Sequence, residues 1–243
     1  MSDPVKIAAW SGPRNLSTAM MYAFGARPDC AVWDEPFYAA YLARTGLDHP
    51  MRDAIIAAGP ADAAEVARRC AGPVPGGRAV FYQKHMTHHM IPGFDRGWFR
   101  DLRHLFLIRH PARVLASYAK KRENPTLADI GFVQQAGIFG DITGLGHPPV
   151  VVDSADIRAA PGPMMAAICD ALGIPRDPGM TRWPAGGHPQ DGVWAAHWYD
   201  AVHRSTGFDG PEGPLPDLPP ALADLAEQAM PYYELLAEER LTA

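Results

Sequence analysis

The sequence predicts an α/β protein built on a parallel sheet of about five strands. Three observations predict it. Five short apolar runs recur along the chain, helical patterns lie between most of them, and polar or charged residues follow directly on each run. In open α/β sheets a ligand binds beyond the carboxyl ends of the strands, so those polar residues are the ones to read for function.

The first run is Val5–Trp10, followed by Ser11-Gly12-Pro13-Arg14-Asn15-Leu16 and a helix opening on Ser17-Thr18. A loop feeding a helix N-terminus gathers backbone N–H groups on one spot and binds anions there. Arg14 adds a fixed charge and a planar fork suited to phosphate or sulfate oxygens. No Gly-Lys pair precedes Ser17-Thr18, so this is not a Walker A loop. The second run, Ala31–Trp33, ends on Asp34-Glu35-Pro36. The third, Ala79–Tyr82, leads to Lys84-His85, and the fourth, Leu105–Ile108, to Arg109-His110-Pro111. Pro111 suits the first turn of a helix whose Val114, Leu115 and Tyr118 share one side, with Arg113, Ser117 and Lys120 on the other. The fifth run, Val150–Val152, ends on Asp153-Ser154.

Residues 1–209 read as one α/β domain. A proline-rich connector, Gly210 to Pro220, then leads to a helical pattern over Ala221–Leu241, interrupted at Pro231. Together, 210–243 form a helical C-terminal extension expected to dock on the same domain.

A formal net charge of −5 gives no overall attraction to a polyanion, which argues against a nucleic-acid partner. The cations are nevertheless concentrated. Arg96, Arg100, Arg103, Arg109, Arg113, Lys120, Lys121 and Arg122 stand against the single acid Asp101 in that segment, a local balance that fits a small multiply charged anion. Cys30, Cys70 and Cys169 have no metal-finger spacing and cannot pair completely, which points to a reducing cytoplasm. No apolar stretch approaches the roughly 20 residues of a membrane span, and no signal peptide is evident. Oligomeric state is not legible.

Arg109 at a strand end and Ser117 in the following helix can meet one anion, while the first loop meets another at the same sheet edge. The chain thus asks for a ligand with two phosphate-like ends. These motifs resemble those of the sulfotransferases that use 3′-phosphoadenosine 5′-phosphosulfate. Trp10 to Thr18 is similar to the family's 5′-phosphosulfate loop, and Arg109-His110-Pro111 with Ser117 to its 3′-phosphate motif. Val151–Ile157 and Met164–Pro175 resemble the strand and helix that follow.

The resemblance implies a three-layer fold of the P-loop NTPase type and transfer of a sulfuryl group to the hydroxyl of a small acceptor, with no metal required. It implies nucleotide contacts from Gly12, Pro13, Arg14, Asn15, Leu16, Ser17, Thr18, Arg109 and Ser117. Glu35 is the first choice for the base that takes the acceptor's proton, and His85 is its rival. His85 directly follows Lys84 where the family leaves a gap of one, which on a strand turns it to the other face. Lys84 would steady the leaving nucleotide, and Arg14 the charge developing on the sulfuryl group. The family's late basic loop has only Ala185–Gly192 as a counterpart, without Lys or Arg. Tyr41–Pro60 and Pro92–Trp98 are expected to line the acceptor pocket.

Plainer readings stand beside these. Arg109 would pair with Asp153, Lys84 would be a solvated strand-end charge, and Trp194, His197, Trp198 and Tyr199 would be core residues rather than a lid. His85, His88 and His89 lack a fourth partner for a metal. A P-loop small-molecule kinase and a non-catalytic nucleotide-binding protein are the alternative functions.

Overall fold

The computed structural model describes residues 3–120, 124–146 and 148–243. Lys121 and Arg122 of the basic segment lie outside the described residues. Five strands form the sheet: β1 (Val5–Ser11), β2 (Cys30–Asp34), β3 (Val80–Met86), β4 (Arg103–Ile108) and β5 (Val150–Asp153). Their spatial order is β2-β3-β1-β4-β5, and every pairing is parallel. The central strands are the most deeply buried, because parallel strands are covered on both faces, whereas Ala31 and Trp33 on the edge strand β2 are half-buried.

Twelve α-helices accompany the strands among the described residues. The first half of the chain holds α1 (Ser17–Gly25), α2 (Tyr38–Thr45), α3 (Arg52–Ala58) and α4 (Ala63–Ala71). After β4 come α5 (Pro111–Tyr118), α6 (Leu127–Ile130) and α7 (Phe132–Gly144). After β5 come α8 (Ser154–Ala159), α9 (Pro161–Ala171), α10 (Ala195–Trp198), α11 (Asp200–His203) and α12 (Pro220–Ala237).

Alternation along β1 splits the core into two layers. Ile7 and Ala9 pack with Met20 and Phe24 of α1, Ile157 of α8 and Ile168 of α9. Ala8 and Trp10 face the other way, onto Val66 of α4, Ile138 of α7 and Leu236 of α12. The result is the three-layer α/β/α arrangement expected from the sequence.

Two boundaries differ from expectation. β3 runs on to Met86, because β1 pairs with it as far as Ser11↔Met86 and β2 as far as Asp34↔Lys84. Lys84 and His85 are therefore strand residues, not residues past a strand end. In addition, α12 passes through Pro231 without a break. Tertiary packing outweighs the missing backbone donor there, since Leu225, Ala226 and Ala229 bury against Val114 and Leu115 of α5. The chain then returns to the sheet, with the Leu241 amide donating to the Val151 carbonyl at 2.8 Å.

β1 lies at the centre, with β3 on one side and β4 on the other. Chain connections diverge there, which opens a crevice at the carboxyl end of β1. The loop after β1 lies in that crevice.

Candidate active site

A cavity of about 380 Å³ occupies the crevice and is lined by residues from seven segments of the chain. Its floor is the turn from β1 to α1, contributing Pro13, Arg14, Asn15, Leu16, Ser17 and Thr18. Arg14 and Leu16 hold left-handed backbone at φ 63° and 66°, a conformation that costs a side-chain-bearing residue about 1–2 kcal/mol. Glu35 does the same at φ 40°. Three of the five non-glycine residues with positive φ among those described thus line one cavity, and strain concentrated in this way is typical of a functional site.

Side chains around the turn fix its path. The buried Asn15 donates to the Leu107 carbonyl of β4 at 3.2 Å. Gly12 has no room for a side chain, since a Cβ there would meet the Ile130 carbonyl oxygen at 2.4 Å. Gly12 is absent from the cavity lining, so its place in the motif is to admit this close approach. No side chain caps α1, and its first turn carries no acid, so its leading N–H groups remain for a ligand.

One end of the cavity is cationic. Arg109 donates from Nη1 to the Arg14 carbonyl at 2.7 Å, and Arg14 Nε donates to Ser117 Oγ at 2.9 Å. The two guanidinium groups that the sequence placed in separate motifs therefore share one wall. Burial, and then the nearby Arg109 charge, lower the pKa of Arg14. Arg109 does not pair with Asp153, which instead caps α8 through the Ala155 amide and accepts from Tyr233. Arg158, on α8, joins this end of the lining without having been read from the sequence.

The other end holds a buried charge cluster. Lys84 Nζ lies 2.9 Å from Asp34 Oδ1, 2.5 Å from Glu35 Oε1 and 2.6 Å from the Tyr199 hydroxyl. The Tyr199 oxygen is also 2.9 Å from each Asp34 oxygen and accepts from Trp194 Nε1 at 3.0 Å. At 1% exposure Lys84 is far from a solvated strand-end charge. Burial alone would lower its pKa, but Asp34 and Glu35 more than offset this and raise it, so it stays an ammonium. Burial raises Glu35 against the pull of Lys84, which makes its carboxylate a better proton acceptor than a free one.

His85 is on the opposite sheet face. It stacks on Trp10 with ring centroids 4.6 Å apart, and its Nε2 lies 3.2 Å from Gln83 Oε1. It is missing from the cavity lining, and burial followed by the His104 charge pulls its pKa down to about 3. The structure thus gives His85 a place in the core and removes it from reach of the cavity. The physical reason is the strict alternation of side chains along β3. That alternation points Lys84 in and its neighbour out.

Tyr38, His49, Met86, His88, His89 and Trp198 complete this end. Of the two loops expected here, 41–60 contributes His49, whereas 92–98 does not line the cavity. Trp98 packs instead with Phe37 and Phe99 in the core, and Phe94 packs beside Phe37. The loop 185–192 does not line the cavity either, although its Gly192 amide donates to Asp34 Oδ2 at 3.2 Å. Its Asp191 accepts from Tyr22 at 2.6 Å and from the His188 amide at 2.9 Å on the flank of α1. Ser205, Gly207, Phe208 and Asp209 line the cavity instead. Among the described residues no His, Cys, Asp and Glu cluster is arranged to hold a metal ion, and no helix is long and apolar enough to cross a membrane.

Sequence reasoning missed Asp34, Tyr199 and Arg158 as partners in the site. Asp34 was visible at its strand end, but its pairing with Lys84 depends on β2 lying beside β3, which one-dimensional pattern does not carry.

Two Arabidopsis thaliana proteins, called branched-chain-amino-acid aminotransferase-like protein 1 and 2, are each 35% identical to this chain, over 236 and 230 residues. The matches cover 97% and 95% of this chain but 42% and 41% of those proteins, so the chain spans about two-fifths of the length of these curated relatives. Among solved structures, the sulfotransferase domain of the Synechococcus PCC 7002 olefin synthase superposes with a TM-score of 0.55 at 18% identity, covering 94% of this chain and 95% of that one. A sulfotransferase from Alicyclobacillus acidocaldarius gives 0.54 at 14% identity, covering 99% and 98%. At these identities the likeness speaks for the fold. The family model for the sulfotransferase domain matches residues 5–239, nearly the whole sequence, and this chain belongs to that family.

Proposed function

We propose that the chain transfers a sulfuryl group from 3′-phosphoadenosine 5′-phosphosulfate to the hydroxyl of a small acceptor. The observation that carries this reading is the single cavity joining Arg14, Arg109 and Ser117 at one end to Glu35 and Lys84 at the other. The 5′-phosphosulfate lies on the turn 13–18, where the α1 amides and Arg14 face it. The acceptor hydroxyl attacks sulfur in line with the bond to the nucleotide. A new S–O bond forms, the bond to the 5′-phosphate oxygen breaks, and the acceptor's proton passes to Glu35 Oε2. Glu35 Oε1 is held by Lys84, which fixes the carboxylate while the other oxygen works. Lys84 lines the same cavity, and its ammonium would offset charge on the departing phosphate.

At the acceptor end Lys84 is the one ammonium or guanidinium among the described lining residues, and two carboxylates match it. An uncharged alcohol suits such surroundings better than an acidic one. The three free cysteines, two of them buried, fit a reducing cytoplasm.

The test has two parts. Calorimetry with adenosine 3′,5′-bisphosphate should show binding to the folded protein, and no heat of binding would refute the nucleotide assignment. Glu35→Gln should then keep that binding and lose about 100-fold or more in turnover across a panel of alcohols. Binding without transfer by the unaltered protein to any alcohol would favour a non-catalytic nucleotide-binding role. Magnesium-dependent turnover of ATP would favour a kinase.

A further inference from the structure

The proline-rich connector places one carboxylate among three arginines. Glu212 is 3% exposed and lies 2.5 Å from Arg109 Nη2, 3.1 Å from Arg158 Nη1 and 2.9 Å from Arg113 Nε. The connector backbone is held by the same groups. Arg113 Nη1 donates to the Glu212 carbonyl at 3.1 Å, and Arg158 Nε donates to the Gly210 carbonyl at 2.9 Å. Two of these arginines, Arg109 and Arg158, line the cavity, whereas Glu212 does not. The buried Arg109 Nε has no hydrogen-bond partner.

Resting on the nucleotide reading above, we propose that Glu212 is a specificity-determining residue for the nucleotide's 3′ end. It is an internal counter-anion that competes with the 3′-phosphate for Arg109 and Arg158. Its Oε1 takes one hydrogen bond from each of the two cavity arginines, and these are the donors a phosphate in the cavity needs. A guanidinium that already satisfies a carboxylate gives less to a second anion. The bound 3′-phosphate must therefore displace Glu212 or share its donors, and either lowers the net affinity. The same discount speeds departure of the 3′,5′-bisphosphate after transfer. Local charge still favours entry, since Arg14, Arg109, Arg113 and Arg158 outnumber Glu212 and the more distant Asp209, which is 3.9 Å from Arg158.

Calorimetry on the unaltered protein, Glu212→Gln and Glu212→Asp decides the matter, with adenosine 3′,5′-bisphosphate and adenosine 5′-monophosphate as probes. Glu212→Gln should tighten the bisphosphate by about tenfold and leave the monophosphate nearly unchanged. Glu212→Asp, which keeps the charge, should stay near the unaltered protein. Weakening of the bisphosphate, or an equal change for both probes, would mean that Glu212 only braces the arginines, and the proposal would be overturned. If the unaltered protein and Glu212→Gln both ignore the bisphosphate while folded, the nucleotide reading fails and takes this proposal with it. Should Glu212→Gln not fold, hydrogen exchange on the unaltered protein is decisive. Saturating bisphosphate should speed exchange in residues 210–217 where the monophosphate does not, and protection by both probes alike would overturn the assignment.

Discussion

Replacing Lys84 with Met would leave two buried carboxylates without their cation. The Asp34, Glu35 and Lys84 side chains are 1%, 9% and 2% exposed, so water cannot take over the role of the ammonium. Its contacts at 2.9 Å to Asp34, 2.5 Å to Glu35 and 2.6 Å to Tyr199 would all be lost. Removing one partner of a buried ion pair costs about 3–5 kcal/mol. For a domain of this size each kcal/mol moves Tm by about 2–4 °C, so Lys84→Met should melt roughly 6–20 °C lower.

The deficit should depend on pH with a defined sign. Burial already raises Glu35, and loss of Lys84 removes the main opposing influence. The folded variant then holds the Glu35 proton more tightly than the unfolded chain does. Stability is therefore fullest below the ordinary carboxylate range and falls as pH rises through the folded-state pKa. Thermal melts between about pH 5 and pH 8 should show the gap from the unaltered protein widening upward. Adding Glu35→Gln should return part of the loss. A Tm within about 2 °C of the unaltered protein at every pH would show that these groups are not an interdependent charge cluster, and the account of the base would fall with it.

Three other outcomes follow from particular positions. His85→Phe should change transfer rates far less than the roughly 100-fold expected of a lost base, because the ring lies in the core beside Trp10; a loss as large as that of Glu35→Gln in single-turnover assays would put an imidazole back in the chemistry. Gly12→Ala should destabilise by about 1–3 kcal/mol in urea unfolding, since its Cβ would overlap the Ile130 carbonyl; unchanged stability would show that the turn and α6 can move apart freely. Met51→Gly should stabilise by about 0.5–1 kcal/mol, because relief of left-handed backbone at φ 61° outweighs the added freedom of the unfolded chain; a destabilised variant would mean that the methionine side chain contributes packing its 36% exposure does not suggest.

What was legible in the chain is local in origin. Buried parallel strands must be apolar along both faces, so Val5–Trp10 and Leu105–Ile108 announced themselves, and the turn at Gly12–Leu16 followed from its place between a strand and a helix. The extension of β3 to Met86 was hidden because Gln83, Lys84 and His85 are polar, and a polar run does not read as a buried strand. Pairing on both sides overrode that composition, and the charges of Asp34 and Glu35 compensated for burying Lys84.

The sequence by itself determined the parallel α/β class, the strand-turn-helix junction after β1, and the place of Glu35 just past the end of β2. Each of these rests on neighbours within a few residues, where spacing and chemistry are read directly. Only the tertiary structure decided that Tyr199 joins Asp34, Glu35 and Lys84, that His85 faces the core, and that Glu212 reaches Arg109 from a connector 103 residues away. Those contacts depend on strand order and on where a stiff proline-rich segment comes to rest, and both are settled by packing of the whole chain.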